Sequence, residues 1–499
     1  MNYNKPLLVS LFLASFTLAA CSGPQRGTTC PGGVCSANTG QVAVTMVADT
    51  LPANPSLLSF HVTISSITFT PSSGTATTVT LSPARTVDLM RLQSDSAFLG
   101  TFGNIPTGQY NSATLTLSGN AIITFLNDTA ATVSGCLASN ICPLSIPASS
   151  NPIATISYSV SQSAVTGVGI DLNIANAASI ASNALTVNFA NANVLSAFTL
   201  PRTGSSLASG QLDLIEDFTG VVTVGSSSVT VASATSTGHG SLAASTTSNT
   251  AYDPDPTGTL CPTGTTQLSQ CVSSNQVVSV DAVLNSDGTL SVQEIEPLLA
   301  TLQDTVEGTV VVINQGNQTQ FTLVVTDLIP AAQSSLIGSL KIGDGLTVNL
   351  VNNIPFLVDT KGLPVQSNFG SNFQNFFGQT NTSALHLGQN VAVHVTTFTA
   401  AAGATIASSN TDTVTLRWSR FTATTSSASD PAFSITGFPS YFAATGLAQV
   451  ESFSDTNLDG IASTSNLNVG NPVSMRALFI ENSSDSLNPA FYAAKVRQH

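Results

Sequence analysis

The side chains with the most chemical spacing are Asp455, Asn457 and Asp459, followed by Gly460 and Ile461. Oxygen side chains at alternate positions, then a glycine for a sharp turn and a backbone carbonyl, are how a calcium loop begins. The closing position is Asn466 where such loops carry a bidentate Glu. The spacing therefore predicts a low-affinity Ca2+ site built on Asp455, Asn457, Asp459 and the Ile461 carbonyl, completed by another group such as Glu451. The same Asp, Asn and Gly residues also make a hairpin turn between two strands.

Other constellations are sparse. The histidines are His61, His239, His386, His394 and His499, and neither G-x-S-x-G nor H-E-x-x-H occurs. His386 and His394 flank the Leu387-Gly388 turn and read as a strand face. Glu294 and Glu296, two residues apart, read as the solvated face of a strand, and Asp253 and Asp255 as a turn in a Pro-rich loop. Four phenylalanines, Phe369, Phe373, Phe376 and Phe377, form either an exposed recognition patch or a short helix docking its rings onto a domain. The sequence points to no catalytic residue, and the expectation is a protein that is not an enzyme.

Leu18-Ala19-Ala20-Cys21 closes an apolar run that begins at Leu7 behind the basic Lys5. The run is too short to span a bilayer. It has the form that bacterial lipoprotein export recognises, with lipid added to Cys21 and cleavage before it. Residues 1–20 are then a signal peptide and 21–40 a Gly/Pro/Ser-rich tether. Ser22 stands where an Asp often retains lipoproteins at the inner membrane, so in a cell with two membranes the outer one is expected. With Cys21 lipidated, six cysteines remain in three local pairs, Cys30 with Cys35, Cys136 with Cys142 and Cys261 with Cys271, which suits disulfides in an oxidising compartment.

The elements that must position these residues are strands. Apolar residues alternate between short Gly/Pro/Ser turns over residues 41–200, predicting an antiparallel β-sandwich. Within it, Tyr110 is expected to bury its ring while its hydroxyl bonds backbone. Residues 175–183 read as one helical turn or a loop. Gly40 to Pro52, His61 to Phe69, Val87-Asp88-Leu89 and Ile105-Pro-Thr-Gly-Gln-Tyr110 occur in the order seen in the bacterial lipoprotein family called domain of unknown function 4382, which residues 40–200 resemble. The resemblance implies a sandwich on an exported lipoprotein and no activity.

Past a linker at Pro201, a strand with Gly, a turn into a second strand and a closing strand recur three times, over 211–300, 304–420 and 421–499. This predicts two or three small, partly open β-barrel-like repeats of the oligonucleotide/oligosaccharide-binding type, with 226–274 and 364–382 as long insertions. The repeats are similar to a second exported family, domain of unknown function 5666. The fold class is thus all-β: a sandwich followed by barrels.

Only 8% of the residues are charged and the formal net charge is -14, so a phosphate backbone is repelled and nucleic acid is not an expected partner. The sequence supports a lipid-anchored envelope protein with a structural, adhesive or ligand-binding role, whose partners are the membrane and a surface protein or glycan. The alternative is a hydrolase acting on envelope material or polysaccharide, with a site assembled between domains.

Overall fold

The computed structural model describes residues 38–49, 57–127, 136, 141–147, 152–162, 164–181, 184–191, 193–235, 240–314, 316–364, 370–442, 447–482 and 490–499. The leader, Cys21, the tether, Cys30, Cys35, His239 and Phe369 lie outside them. Among the described residues no helix is long and apolar enough to cross a membrane.

The first unit holds β1 (Thr39–Asp49), β2 (Leu57–Pro71), β3 (Thr77–Asp88), β4 (Ala97–Pro106), β5 (Gly108–Leu126), β6 (Ile141–Pro147), β7 (Ile153–Val160) and β8 (Val165–Asn173). The helical turn α1 (Ile174–Ala177), the hairpin β9 (Ala178–Ala181) and β10 (Ala184–Val187), and β11 (Leu195–Thr199) complete it. One sheet runs β11-β8-β1-β4 and the other β3-β2-β5-β6, with β7 also on β5. Their inner faces share one core, in which Val42, Val44 and Met46 of β1 and Phe60, Val62 and Ile64 of β2 are buried. Tyr110 stacks on Tyr158 at 5.2 Å, and its hydroxyl donates to the Pro106 carbonyl at 2.8 Å, as its sequence context predicts. The sandwich departs from a purely antiparallel one, because β1 and β8 pair in parallel. The chain between them crosses through the second sheet, which lets the two strands run the same way.

Three barrels follow. The first has β12 (Gln211–Val224), β13 (Ser228–Ser233), β14 (Ser241–Ser245), β15 (Ala251–Tyr252), β16 (Val277–Asn285) and β17 (Leu290–Leu299). The second has β18 (Thr305–Ile313), β19 (Gln320–Ile329), β20 (Gly345–Leu350), β21 (Phe356–Val358), β22 (Asn390–Thr399) and β23 (Ala407–Arg417). The third has β24 (Ser419–Ser427), β25 (Ala432–Thr436), β26 (Ala448–Glu451), β27 (Asn457–Asp459), β28 (Pro472–Ile480) and β29 (Ala490–Gln498). In each, the third and last strands pair in parallel and close five strands into a barrel, while the two- or three-residue strand lies along the last one. Numbering the five closing strands gives the order 1-2-3-5-4-1, a closed barrel where the recurring sequence pattern predicts only a partly open one.

The stretch 226–274 is no insertion, for it supplies β13, β14 and β15. Its Ser, Thr and Ala residues carry little apolar signal, but β13 alternates exposed and buried positions along most of its length and closes the barrel. A short helix lies between the short strand and the next barrel strand in two barrels, α2 (Leu268–Cys271) and α3 (Gly370–Phe373). Phe373 and Phe376 are buried in the second barrel's core, so the phenylalanine cluster docks inward. Cys136 is bonded to Cys142 and Cys261 to Cys271.

Candidate functional site

Strand register makes the barrels directly comparable. In the first barrel Phe218 pairs with Val280, which pairs with Ile295. In the third Phe421 pairs with Met475, which pairs with Val496. In the second Val306 pairs with Val393, which pairs with Val414. The residues flanking these inward anchors point outward, since side chains alternate along a strand. Four matching flank positions carry Asp217, Asp281, Glu294 and Glu296 in the first barrel, Arg420, Arg476, Lys495 and Arg497 in the third, and Thr305, His394, Thr413 and Thr415 in the second, while the other flank of the first strand carries Thr219, Thr422 and Glu307 in the first, third and second barrels. These four positions are acidic in the first barrel, basic in the third and three threonines with a histidine in the second.

The acidic and basic sets meet. Arg420 bonds Asp217, Arg476 reaches Asp281 at 3.4 Å, and Lys495 bonds Glu216 at 2.5 Å. From the second barrel, Lys361 bonds Asp281 and lies 3.6 Å from Asp217, and Arg417 bonds Asp359. The side chains of these groups are buried. Burial alone would raise the Asp217 carboxyl, but Lys361, Arg420, Arg417 and Arg91 outweigh it and hold it well below the usual carboxylate range.

The sandwich enters the same centre through its 91–95 turn. Arg91 spans three carboxylates, Asp217 at 3.5 Å, Glu307 at 3.2 Å and Asp327 at 3.2 Å. Asp95 accepts from Arg420 at 2.5 Å. The Arg497 guanidinium donates to the carbonyls of Leu92 and Gln93, both at 3.1 Å, and to Asp459 at 2.8 Å. All four units therefore meet around one ionic core.

The sandwich is also the part of the chain for which a family match is found. Residues 39–197 match domain of unknown function 4382. The match ends before the first barrel. No curated protein matches the chain.

Between the first two barrels and the turn of the DUF4382 domain lies a cleft of about 680 Å³, counting the solvent at its mouth. The second barrel's four positions, Thr305, His394, Thr413 and Thr415, all line it. Leu298, Leu299, Pro256 and Ile329 give it apolar walls, and Arg91, Arg417, Glu307 and Asp327 stand at its charged end. Glu307 and Asp327 are cross-strand partners. Burial raises both carboxyls, but Arg91 and Arg417 overcome it at Glu307, which is held low. At Asp327 burial and the Glu307 charge prevail over Arg91, pushing it up to about 6.

A second cluster has the geometry of a serine triad. Asp49 Oδ1 lies 2.7 Å from His499 Nδ1, and His499 Nε2 lies 2.6 Å from Ser474 Oγ. Ser474 has no exposed surface and shares a 2.6 Å hydrogen bond with Thr422. The chain of bonds ties the sandwich to the third barrel. Spacing in sequence carried no sign of it, because its members lie on β1, β28 and the chain end.

The predicted site residues fall as follows. Asn457 and Asp459 lie on β27, where the Asn457 amide reaches Glu216 at 3.5 Å and Asp459 is engaged by Arg497. Asp455 is exposed beside Ser454, and the Ile461 side chain is buried. Among the described residues no three His, Cys, Asp or Glu side chains converge as metal ligands. His386 and His394 do not meet: His386 faces Glu481 at 3.7 Å and His394 faces Asp412 at 2.7 Å. Asp255 does organise a turn, accepting from the Leu260 and Cys261 amides. Glu296 is fully buried and Glu294 is largely so, which corrects the reading of a solvated strand face. Their outward strand face is covered by the second barrel, a contact no local pattern displays.

Proposed function

We propose that this chain is an exported, lipid-anchored envelope protein that binds a ligand in the cleft between its first two barrels. The observation that carries the reading is the unequal use of one repeated surface. At the matching positions the acidic and basic sets are consumed in holding the units together, and the threonines and His394 of the second barrel are left lining the cleft. Apolar walls with a few convergent polar groups are the usual form of a small-molecule site. The leucines, threonines and His394 suit a neutral ligand with an apolar face and hydroxyl or amide groups, such as a fragment of envelope glycan. Anchoring rests on Cys21.

The first test is a thermal-shift and calorimetric screen of purified envelope glycan fragments against the full chain and a Leu298→Trp variant that fills the cleft. Binding to the parent and its loss in the variant are expected. Equal binding to both would remove the cleft from the reading. Labelled palmitate entering the parent and not Cys21→Ser tests the anchor.

A second reading, hydrolysis of envelope material, draws on Glu307 and Asp327. Two carboxyls on one wall with opposite shifts resemble an acid and its ionised partner. Both are held by Arg91, which favours a structural role for them. New reducing ends released from polysaccharide by the parent but not by Asp327→Asn would favour hydrolysis.

A further inference from the structure

Beside the ionic core, the seam between the first and second barrels buries carboxyl groups that no cation neutralises fully. Both oxygens of Glu296, Oδ1 of Asp359, Oδ2 of Asp253 and Oε1 of Glu294 are buried and meet no hydrogen-bond donor. The groups face one another in two pairs. Glu296 on β17 opposes Asp359 in the segment after β21, so this pair bridges the two barrels. Glu294 on the same strand opposes Asp253 at the end of β15.

The surrounding charges are accounted for. Arg417 of β23 bonds Asp359, and Lys361 is committed to Asp281 and Asp217. Asp281 of β16 adds a further negative charge beside Glu294 and Asp253. Two carboxylates in contact in a buried site repel each other, and a proton between them turns the repulsion into a hydrogen bond. The carboxyls oppose one another in pairs, and among the described residues no three acidic groups converge as a metal site, so a proton suits each pair.

We infer that this seam is a proton-loaded latch, with one proton held in each of the pairs Glu296–Asp359 and Glu294–Asp253, and that losing these protons at alkaline pH loosens the first barrel from the second. Burial, joined by the facing carboxyl, pushes Glu296 and Glu294 well above the usual range, which agrees with the geometry. The sign follows from linkage. A carboxyl raised in the folded state stabilises it fully below the unfolded value, roughly 4.3 for Glu, and this contribution is lost as pH rises through the folded value.

The test is the melting temperature of the full chain from pH 5 to pH 9, with the protonated-carboxyl infrared band recorded alongside. The parent is expected to melt progressively lower toward pH 9 and to lose that band. In Glu294→Gln/Glu296→Gln the amides supply the missing donors, so the variant is expected to melt near the parent at pH 5 and to lose less toward pH 9. A parent equally stable across the range, or a variant with the parent's full alkaline loss, overturns the latch. So does calcium or magnesium raising the melting temperature of the parent at pH 8 but not of the variant, which would put a metal ion in the proton's place. If the double variant does not fold, the single Glu296→Gln is measured by the same criteria.

Discussion

Asp217 and Arg420 are bonded to each other at the centre of the molecule, and they occupy the same position in two different barrels. Each directly precedes the phenylalanine, Phe218 or Phe421, that pairs with the next strand but two of its own barrel. One repeated fold has been given opposite charges at equivalent places, and its copies then clasp one another. In a chain with so few charged residues, these charges serve assembly more than solubility.

Breaking the clasp should be costly. Arg420→Met leaves Asp217 and Asp95 buried without one of their cations, and removing one partner of such a pair typically costs about 3–5 kcal/mol. The double variant Asp217→Asn/Arg420→Met should cost less than the two single losses added, by about 0.5–3 kcal/mol. Denaturant titration of the four variants in the cycle checks this, and strict additivity would mean that the pair contributes nothing through its contact.

The acid side of the stability profile has the opposite origin from the seam. Asp459 is held at about 2 because the Arg497 and Lys495 charges outweigh its burial, and Asp217 and Glu307 are also held low. Carboxyls depressed in the folded state contribute stability that is present above their unfolded value and lost as pH falls through the folded one. Melting temperature should therefore fall steeply below about pH 4. Arg497→Met removes the main cation holding Asp459 down, so the variant should be less stable than the parent at neutral pH and lose less stability on acidification.

Much of this architecture could be read from alternation alone. The inward residues of β1, β2 and β16, the Tyr110 turn and the Cys261–Cys271 closure follow local patterns that burial in a sheet imposes. The site could not be read in that way. Arg91 finds Glu307 and Asp327 across more than two hundred residues, and Asp49 finds His499 at the opposite end of the chain. A strand reports which face is outward and not what covers that face, so Glu294 and Glu296 read as solvated although a barrel seals them. The spacing at Asp455 to Ile461 likewise gave no sign that Arg497 from β29 engages Asp459. The one usable signal was comparative: aligning the three repeats places acids, bases and threonines at the same positions.

Gly362 shows how closely the first two barrels approach. Its φ is +74°, and a Cβ there would stand 2.7 Å from Asp253 Oδ1. Gly362→Ala adds backbone strain to a clash with a buried carboxyl of the seam, and a loss of about 1–3 kcal/mol is expected. Gly378, also at positive φ but with open space around its Cβ position, is the control. Gly378→Ala should show the strain alone, so the difference between the two variants measures the closeness of the seam.

The cleft offers a titration that tests its charged end directly. Asp327 stands at about 6 because burial and Glu307 raise it while Arg91 opposes them. Removing a cation favours the protonated acid, and removing a neighbouring carboxylate favours the ionised one. Arg91→Met should therefore move the Asp327 midpoint above 6 and raise Glu307 as well, whereas Glu307→Gln should move Asp327 down toward the ordinary range. Carboxyl carbon NMR of labelled Asp, followed from pH 3 to pH 9, reads these midpoints. Shifts of opposite sign in the two variants would establish that Arg91 and Glu307 set the proton affinity of the cleft wall. A midpoint unmoved by either would place Asp327 under burial alone and detach the cleft from the ionic core.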